Sequence, residues 1–78
     1  MESQADVEAE LHAFAGEISA RGWRVRLTRY RESMGVCVQI ERRMEGVAEP
    51  IEALEICRST VARVVESARK HIFPRRMS

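Results

Sequence analysis

Two histidines and two cysteines are the side chains of this sequence best suited to acid-base or nucleophilic catalysis near neutral pH, but their spacing does not combine them. They are His12, His71, Cys37 and Cys57. Neither cysteine forms an evident pair with a histidine, and no Ser or Thr stands in a nucleophile motif. The cysteines also lack the CxxC spacing of a zinc or redox site. We therefore predict that the chain is not an enzyme and has no catalytic residue, no cofactor and no metal site.

Arginine is the residue type through which this chain could bind a partner most directly. The sequence has twelve arginines and one lysine, and guanidinium groups bind carboxylates and phosphates in a bidentate fashion. The charge is segregated, because residues 1–20 carry −5, residues 21–44 carry +5, and the whole chain carries +1. Two such opposed fields either neutralise one another inside one fold or present one sign to a partner.

Local periodicity predicts the elements that position these charges. A first helix is predicted over residues 4–20, which Gly22 ends, by a stripe of five apolar residues at helical spacing: Val7, Leu11, Phe14, Ala15 and Ile18. A period of two then predicts strands over residues 23–31 and 35–43, joined as a hairpin. A four-residue loop ending at Gly35 would pair Leu27 with Ile40 and Arg26 with Glu41. A two-residue turn at residues 32–33 keeps the same strand faces and stays open as an alternative.

A second stripe of apolar residues, which includes Leu54, Cys57 and Val61, predicts a long helix over residues 50–71. Pro50 suits its first turn, and Pro74 opens a frayed tail over residues 74–78. We thus expect one α+β domain over residues 1–78, with the order α-β-β-α and both helices on one face of an antiparallel hairpin. Because a two-stranded sheet is marginal, we expect either a short third strand near residues 44–48 or pairing with another chain. We favour a homodimer.

This order is similar in outline to a truncated double-stranded-RNA-binding domain. That family places a lysine cluster at the start of its second helix, where this sequence reads Glu49-Pro50-Ile51-Glu52. The resemblance is therefore confined to the outline, and it implies no site residue here.

Three candidate contact surfaces follow from these elements. The first is a basic patch on the outward face of the hairpin, formed by Arg24, Arg26, Tyr30 and Arg43. The second is an acidic patch on the first helix, formed by Asp6, Glu10 and Glu17. The third is a strip of small residues around one isoleucine on the second helix, a dimer face formed by Ala53, Ile56, Thr60 and Ser67. Each has a structural alternative: ion pairs between the arginines and nearby acids, complementation of the helix dipole by the acids, and an isolated exposed isoleucine.

The composition also predicts a location and a mode of action. The first ten residues lack the features of a secretory signal, and no apolar run approaches the ~18 residues that a membrane span needs. We expect a cytosolic protein with free thiols. We expect it to be a binding protein that occludes a surface on a larger protein partner, as a phage or mobile-element inhibitor of a nucleic-acid-handling complex would, including anti-CRISPR proteins. The alternative is a module that binds RNA or DNA directly through the arginine-rich hairpin.

Overall fold

A computed structural model of the protein describes residues 3–74, which form two helices and one three-stranded antiparallel sheet. The elements in chain order are α1 (Gln4–Ser19), β1 (Trp23–Arg31), β2 (Gly35–Arg42), β3 (Glu52–Arg58) and α2 (Val61–Ile72). The predicted α+β class is confirmed, with a third strand between the hairpin and the last helix. Neither helix in this part of the chain combines the length and the apolar character that crossing a bilayer requires. Of the predicted tail, residues 75–78 lie outside the described residues.

Helix α1 is fixed at both ends by local chemistry. Ser3 is its N-cap, and in a capping box the Asp6 N–H donates to Ser3 Oγ while the Ser3 N–H donates to the Asp6 carboxylate, both at 3.2 Å. At the other end Gly22 has a φ of +80°, a conformation that glycine adopts without steric cost. The buried residues of α1 are Val7, Leu11, Phe14 and Ile18, four of the five residues of the predicted stripe.

The hairpin between β1 and β2 has a different register from the one predicted. Leu27 pairs with Val38 rather than with Ile40, and Arg26 pairs with Gln39 rather than with Glu41. Between Trp23 and Leu27 the register is the one that a two-residue turn at residues 32–33 would give. The loop itself is one residue longer, and Gly35 follows it with a φ of +98°.

A bulge at Thr28 accounts for that extra residue. The ladder shifts between Leu27 and Arg29, so that Arg29 pairs with Cys37 and Tyr30 pairs with Val36. Since side chains alternate along a strand, an extra residue reverses the faces beyond it. The prediction that Tyr30 points outward with the arginines was therefore wrong, because Tyr30 packs against the core.

The long second helix predicted over residues 50–71 was also wrong in its first half. Residues 52–58 form β3, which pairs antiparallel with β2, and residues 44–48 form no strand. Helix α2 begins only at Val61, where the Thr60 hydroxyl accepts a hydrogen bond from the Arg63 N–H at 3.2 Å. Pairing with β2 provides backbone hydrogen bonds along one edge of residues 52–58 and buries Ile56, so the sheet overrides the helical spacing.

Both helices lie on one face of the sheet and close a single cluster of buried side chains. The cluster draws on all five elements and consists of Val7, Leu11, Phe14, Ile18, Trp23, Val36, Val38, Ile40, Ile56, Val61, Val64, Val65, Ala68 and Ile72. No polar or charged residue among residues 3–74 is buried. The helix-covered face is thus wholly apolar at its centre, and the opposite face of the sheet has no layer over it in the described chain.

Candidate interaction surface on the open sheet face

The sheet surface that faces away from both helices is here called the open face. Its β1 members are Arg24, Arg26, Thr28, Arg29 and Arg31, and its β2 and β3 members are Cys37, Gln39, Glu41, Ala53, Glu55 and Cys57. Arg24, Arg26, Arg29 and Arg31, named the arginine row, are all exposed. Two of them, Arg24 and Arg26, belong to the predicted basic patch. The bulge brings Arg29 onto this face in the place predicted for Tyr30.

The arginine row has few internal partners. Arg26 Nη2 donates to Gln39 Oε1 at 2.7 Å, a neutral amide that leaves the guanidinium charge uncompensated. Across residues 3–74, none of Arg24, Arg29 and Arg31 has a carboxylate within ion-pair distance. Among residues 3–74 no ion pair joins Arg26 to Glu41, because Arg26 lies opposite Gln39 in the observed register. The alternative that these arginines are neutralised inside the fold therefore does not hold for the row.

Arg43, the fourth predicted member of the basic patch, is engaged in the fold. Its Nε donates to Glu41 Oε1 at 2.9 Å, and its Nη1 donates to the Ala48 carbonyl oxygen at 3.1 Å. These contacts tie the connection between β2 and β3 to the sheet. Arg43 is consequently less available to a partner than the arginines of β1.

Two of the three residues of the predicted acidic patch also have structural roles. Asp6 belongs to the capping box of α1, and Glu17 accepts from Arg69 of α2 at 2.9 Å. Glu10 is exposed. Because α1 lies on the covered side of the sheet, its acids and the arginine row are on opposite sides of the molecule. The two opposed charge fields in the sequence are held apart rather than joined.

A disulfide between Cys37 and Cys57 lies on the open face. The two residues are directly opposite each other on β2 and β3, with Cα atoms 4.1 Å apart, and none of the described cysteines is free. The expectation of free thiols was therefore wrong. The helical reading of residues 50–71 placed Cys57 in the core stripe, whereas pairing of β3 with β2 turns it outward next to Cys37.

The histidines lie apart from the open face. His71 Nε2 is 2.5 Å from Glu52 Oε2, and its ring meets the Trp23 ring edge to face with centroids 5.5 Å apart. His71 therefore joins the end of α2 to both edge strands. His12 is exposed on α1. Within residues 3–74, no group of three or more His, Cys, Asp and Glu side chains is arranged to hold a metal ion.

The predicted dimer face does not exist as a single surface. Ala53 lies on the open face, Ile56 is only 4% exposed in the core, and Thr60 caps α2. Ser67 is half-buried on α2. The prediction assumed that all four residues lie on one helix, but residues 52–58 form β3, so it was wrong. The homodimer itself stays a prediction.

Comparison with known proteins identifies no relative. No family model matches the chain, and no curated protein and no solved structure matches it. Residues 49–52 also do not start the second helix, as the outline of a double-stranded-RNA-binding domain would require, because α2 begins at Val61. The open face is therefore the candidate interaction surface.

Proposed function

We propose that this protein is a non-enzymatic binding protein that covers an acidic surface on a larger protein with its open face. The observation that carries the proposal is the arginine row, whose charges have no acidic partner and no covering layer among residues 3–74. Arginine is enriched at protein interfaces, where its planar group pairs with carboxylates and packs over apolar surface. Placing such a face on an acidic site of a larger assembly would occlude that site.

Two features of the open face favour a protein over a nucleic acid. Tyr30 is turned toward the core, so this face has no aromatic ring on which a base could stack among residues 3–74. Glu55 shares the face with the arginines and would repel a phosphate backbone, whereas the charge of Glu41 is compensated by Arg43. A mixed surface of this kind suits the mixed charge of a protein. The biological role that we propose for this protein is that of a phage or mobile-element inhibitor of a nucleic-acid-handling complex, of the anti-CRISPR kind.

The proposed location is the cytosol, where thiols are held reduced. In that compartment the Cys37–Cys57 disulfide would be open to reduction, since Cys57 is exposed. Alkylation of intact cells before lysis, followed by mass spectrometry, measures this directly. Alkylated cysteines support the cytosolic location, and a fully formed disulfide in freshly trapped cells would contradict it.

Affinity purification tests the proposed function. The tagged full chain is recovered from an extract of its native cells at low salt, and one half of the sample is treated with nuclease. The double variant Arg24→Ala/Arg29→Ala removes two charges of the row. The control Arg42→Ala/Arg63→Ala removes two exposed arginines that lie off the open face and form no ion pair in the described chain.

We expect to recover a protein partner in both the nuclease-treated and the untreated half. The amount recovered should be unchanged with the control and should fall by at least about tenfold with Arg24→Ala/Arg29→Ala, since two charge-assisted contacts are removed. Retention of the partner by the row variant would overturn the proposal. Recovery of nucleic acid alone, with an affinity that falls steeply with salt, would instead support direct nucleic-acid binding.

A further inference from the structure

We propose that the partner docks by strand addition, with an extended segment in which acidic and apolar residues alternate pairing along the free edge of β1. The inference deepens the proposed function, since it names the partner chemistry of the same surface. It depends on three properties of β1: an unpaired backbone edge, a different chemistry on each side of that edge, and a charge pattern that disfavours a second copy of this chain.

The backbone edge of β1 is open between Trp23 and Leu27. The strand order is β1-β2-β3, so within residues 3–74 β1 has a neighbouring strand on one side only. The Arg43 N–H donates to the Gly22 carbonyl oxygen at 2.9 Å, which places the hydrogen-bonded positions of β1 at even-numbered residues. The N–H and C=O groups of Val25 and Leu27 therefore point outward, where an added strand would pair with them.

The side chains along this edge differ between the two faces. On the open face the edge carries the exposed Arg24 and Arg26. On the helix-covered face Val25 and Leu27 pack against the core but stay half-buried, since they lie at the margin of the layer that the helices form. Successive side chains of a strand point to opposite faces, so a segment with alternating acidic and apolar residues matches both at once.

The ladder geometry also favours acids opposite these arginines. The backbone N–H and C=O groups of Arg24 and Arg26 point toward β2. The residues of an added strand that lie opposite these arginines would therefore form non-hydrogen-bonded pairs with them, in which the opposed side chains approach most closely. Two acidic residues spaced by one residue would each face one guanidinium group. The bulge at Thr28 interrupts the regular edge beyond Leu27, so the docking run is short and centred on Val25.

A second copy of this chain fits the edge poorly. Antiparallel pairing of two β1 strands would place arginines opposite arginines, and like charges opposite each other destabilise a strand pair. The same residues that discourage self-pairing therefore select an acidic occupant.

Amide hydrogen exchange measured by NMR tests this inference on the full chain. The probe is a synthetic peptide as long as the nine-residue β1, with glutamate alternating with valine. One control peptide has the same composition with the glutamates in one block, and another has lysine in place of glutamate. We expect the alternating acidic peptide to slow exchange at Val25 and Leu27 by at least about tenfold at saturation, and neither control to do so.

Methylated peptides separate strand pairing from charge attraction without altering the protein. N-methylation of the peptide amides that would face β1 removes their hydrogen bonds, whereas N-methylation of the alternate amides leaves them intact. We expect the first change to weaken binding by at least about tenfold and the second to have little effect. The variant Arg24→Ala/Arg26→Ala should weaken binding by a similar factor, with Arg42→Ala/Arg63→Ala as its control.

Several outcomes would overturn the inference. They are no binding of the alternating peptide at millimolar concentration, binding without protection at Val25 and Leu27, equal binding of the block peptide, or insensitivity to both methylation patterns. Protection of these amides in the concentrated protein alone would identify a second copy as the occupant and would also overturn it. The proposed function fails separately, when the natural partner is retained by Arg24→Ala/Arg29→Ala.

Discussion

The two faces of the sheet are made from the same three strands and have opposite chemistry. On the covered face Val38 and Ile40 are fully buried, and Ile56 joins them from β3. On the open face the same strands expose Arg24, Arg26 and Glu55. Strand alternation therefore divides two tasks between the faces: the covered face supplies the burial that stabilises the fold, and the open face is available for contacts.

The sharpest test of this division is a truncation on the covered face. Ile56→Ala should lower the free energy of unfolding by about 2–4 kcal/mol, because it removes buried methyl groups and leaves a cavity. Urea unfolding measures the change, and Glu55→Ala, next to it on the open face, is the matched control with an expected change within about 0.5 kcal/mol. A small effect of Ile56→Ala would mean that this residue is exposed, as on the helix first predicted.

The Cys37–Cys57 disulfide cross-links β2 and β3 on the open face, and its removal should have the next largest effect on the free energy of unfolding. The cysteines are 20 residues apart, so loop closure predicts a loss of about 3 kcal/mol in unfolding free energy on reduction. Urea unfolding with and without a reductant gives the difference. The variant Cys37→Ser/Cys57→Ser should match the reduced protein and show no response to reductant. Equal stability of the oxidised and reduced protein would contradict the prediction.

The start of α2 decides whether β3 exists as a strand, and Thr60 tests it by the sign of an effect. As the N-cap, Thr60→Ala should destabilise the protein by about 1 kcal/mol. In the middle of a helix over residues 50–71, the same change would raise helix propensity and stabilise it. Thermal or urea unfolding distinguishes the two results, and Ser59→Ala, an exposed neighbour, is the control.

The smallest expected effect on stability belongs to the arginine row. Arg24→Ala/Arg29→Ala should change the free energy of unfolding by no more than about 0.5 kcal/mol, because neither arginine has an ion-pair partner in the described chain. Unfolding curves of this variant and of Arg42→Ala/Arg63→Ala should therefore superimpose. A loss above about 1 kcal/mol for the row variant alone would show that the open face also supports the fold.

The elements that could be predicted from the sequence are those whose signals are local. Helix α1 ends one residue before its predicted end, and both hairpin strands start at their predicted residues, since helical spacing, strict alternation and Gly22 each act within a few residues. The third strand could not be recognised in the same way. Leu54 and Cys57 continue a helical stripe into Val61, and only pairing with β2, a non-local interaction, makes residues 52–58 a strand. The signal that was missed is Thr60, a residue favoured at helix N-caps.

The candidate site shows the same limit. The alternation predicted that Arg24 and Arg26 share an outward face, and their exposed positions on the open face agree with it. The bulge at Thr28 then places Arg29 on the open face, where Tyr30 was expected. A bulge depends on how two strands align along their whole length, and the residues around Thr28 contain no local signal that predicts one. The disulfide was missed for a related reason, because it needs β3 to place Cys57 opposite Cys37.

Arginine footprinting tests directly whether the arginine row on the open face contacts the partner. An arginine-selective dicarbonyl reagent is applied to the protein alone and to its complex with the purified partner, and the modified residues are identified by mass spectrometry. We expect Arg24, Arg29 and Arg31 to react in the free protein and to be protected in the complex, while Arg63 on α2 reacts equally in both. Protection of Arg63 with continued reaction of the row would show that the helices, and not the open face, form the binding surface.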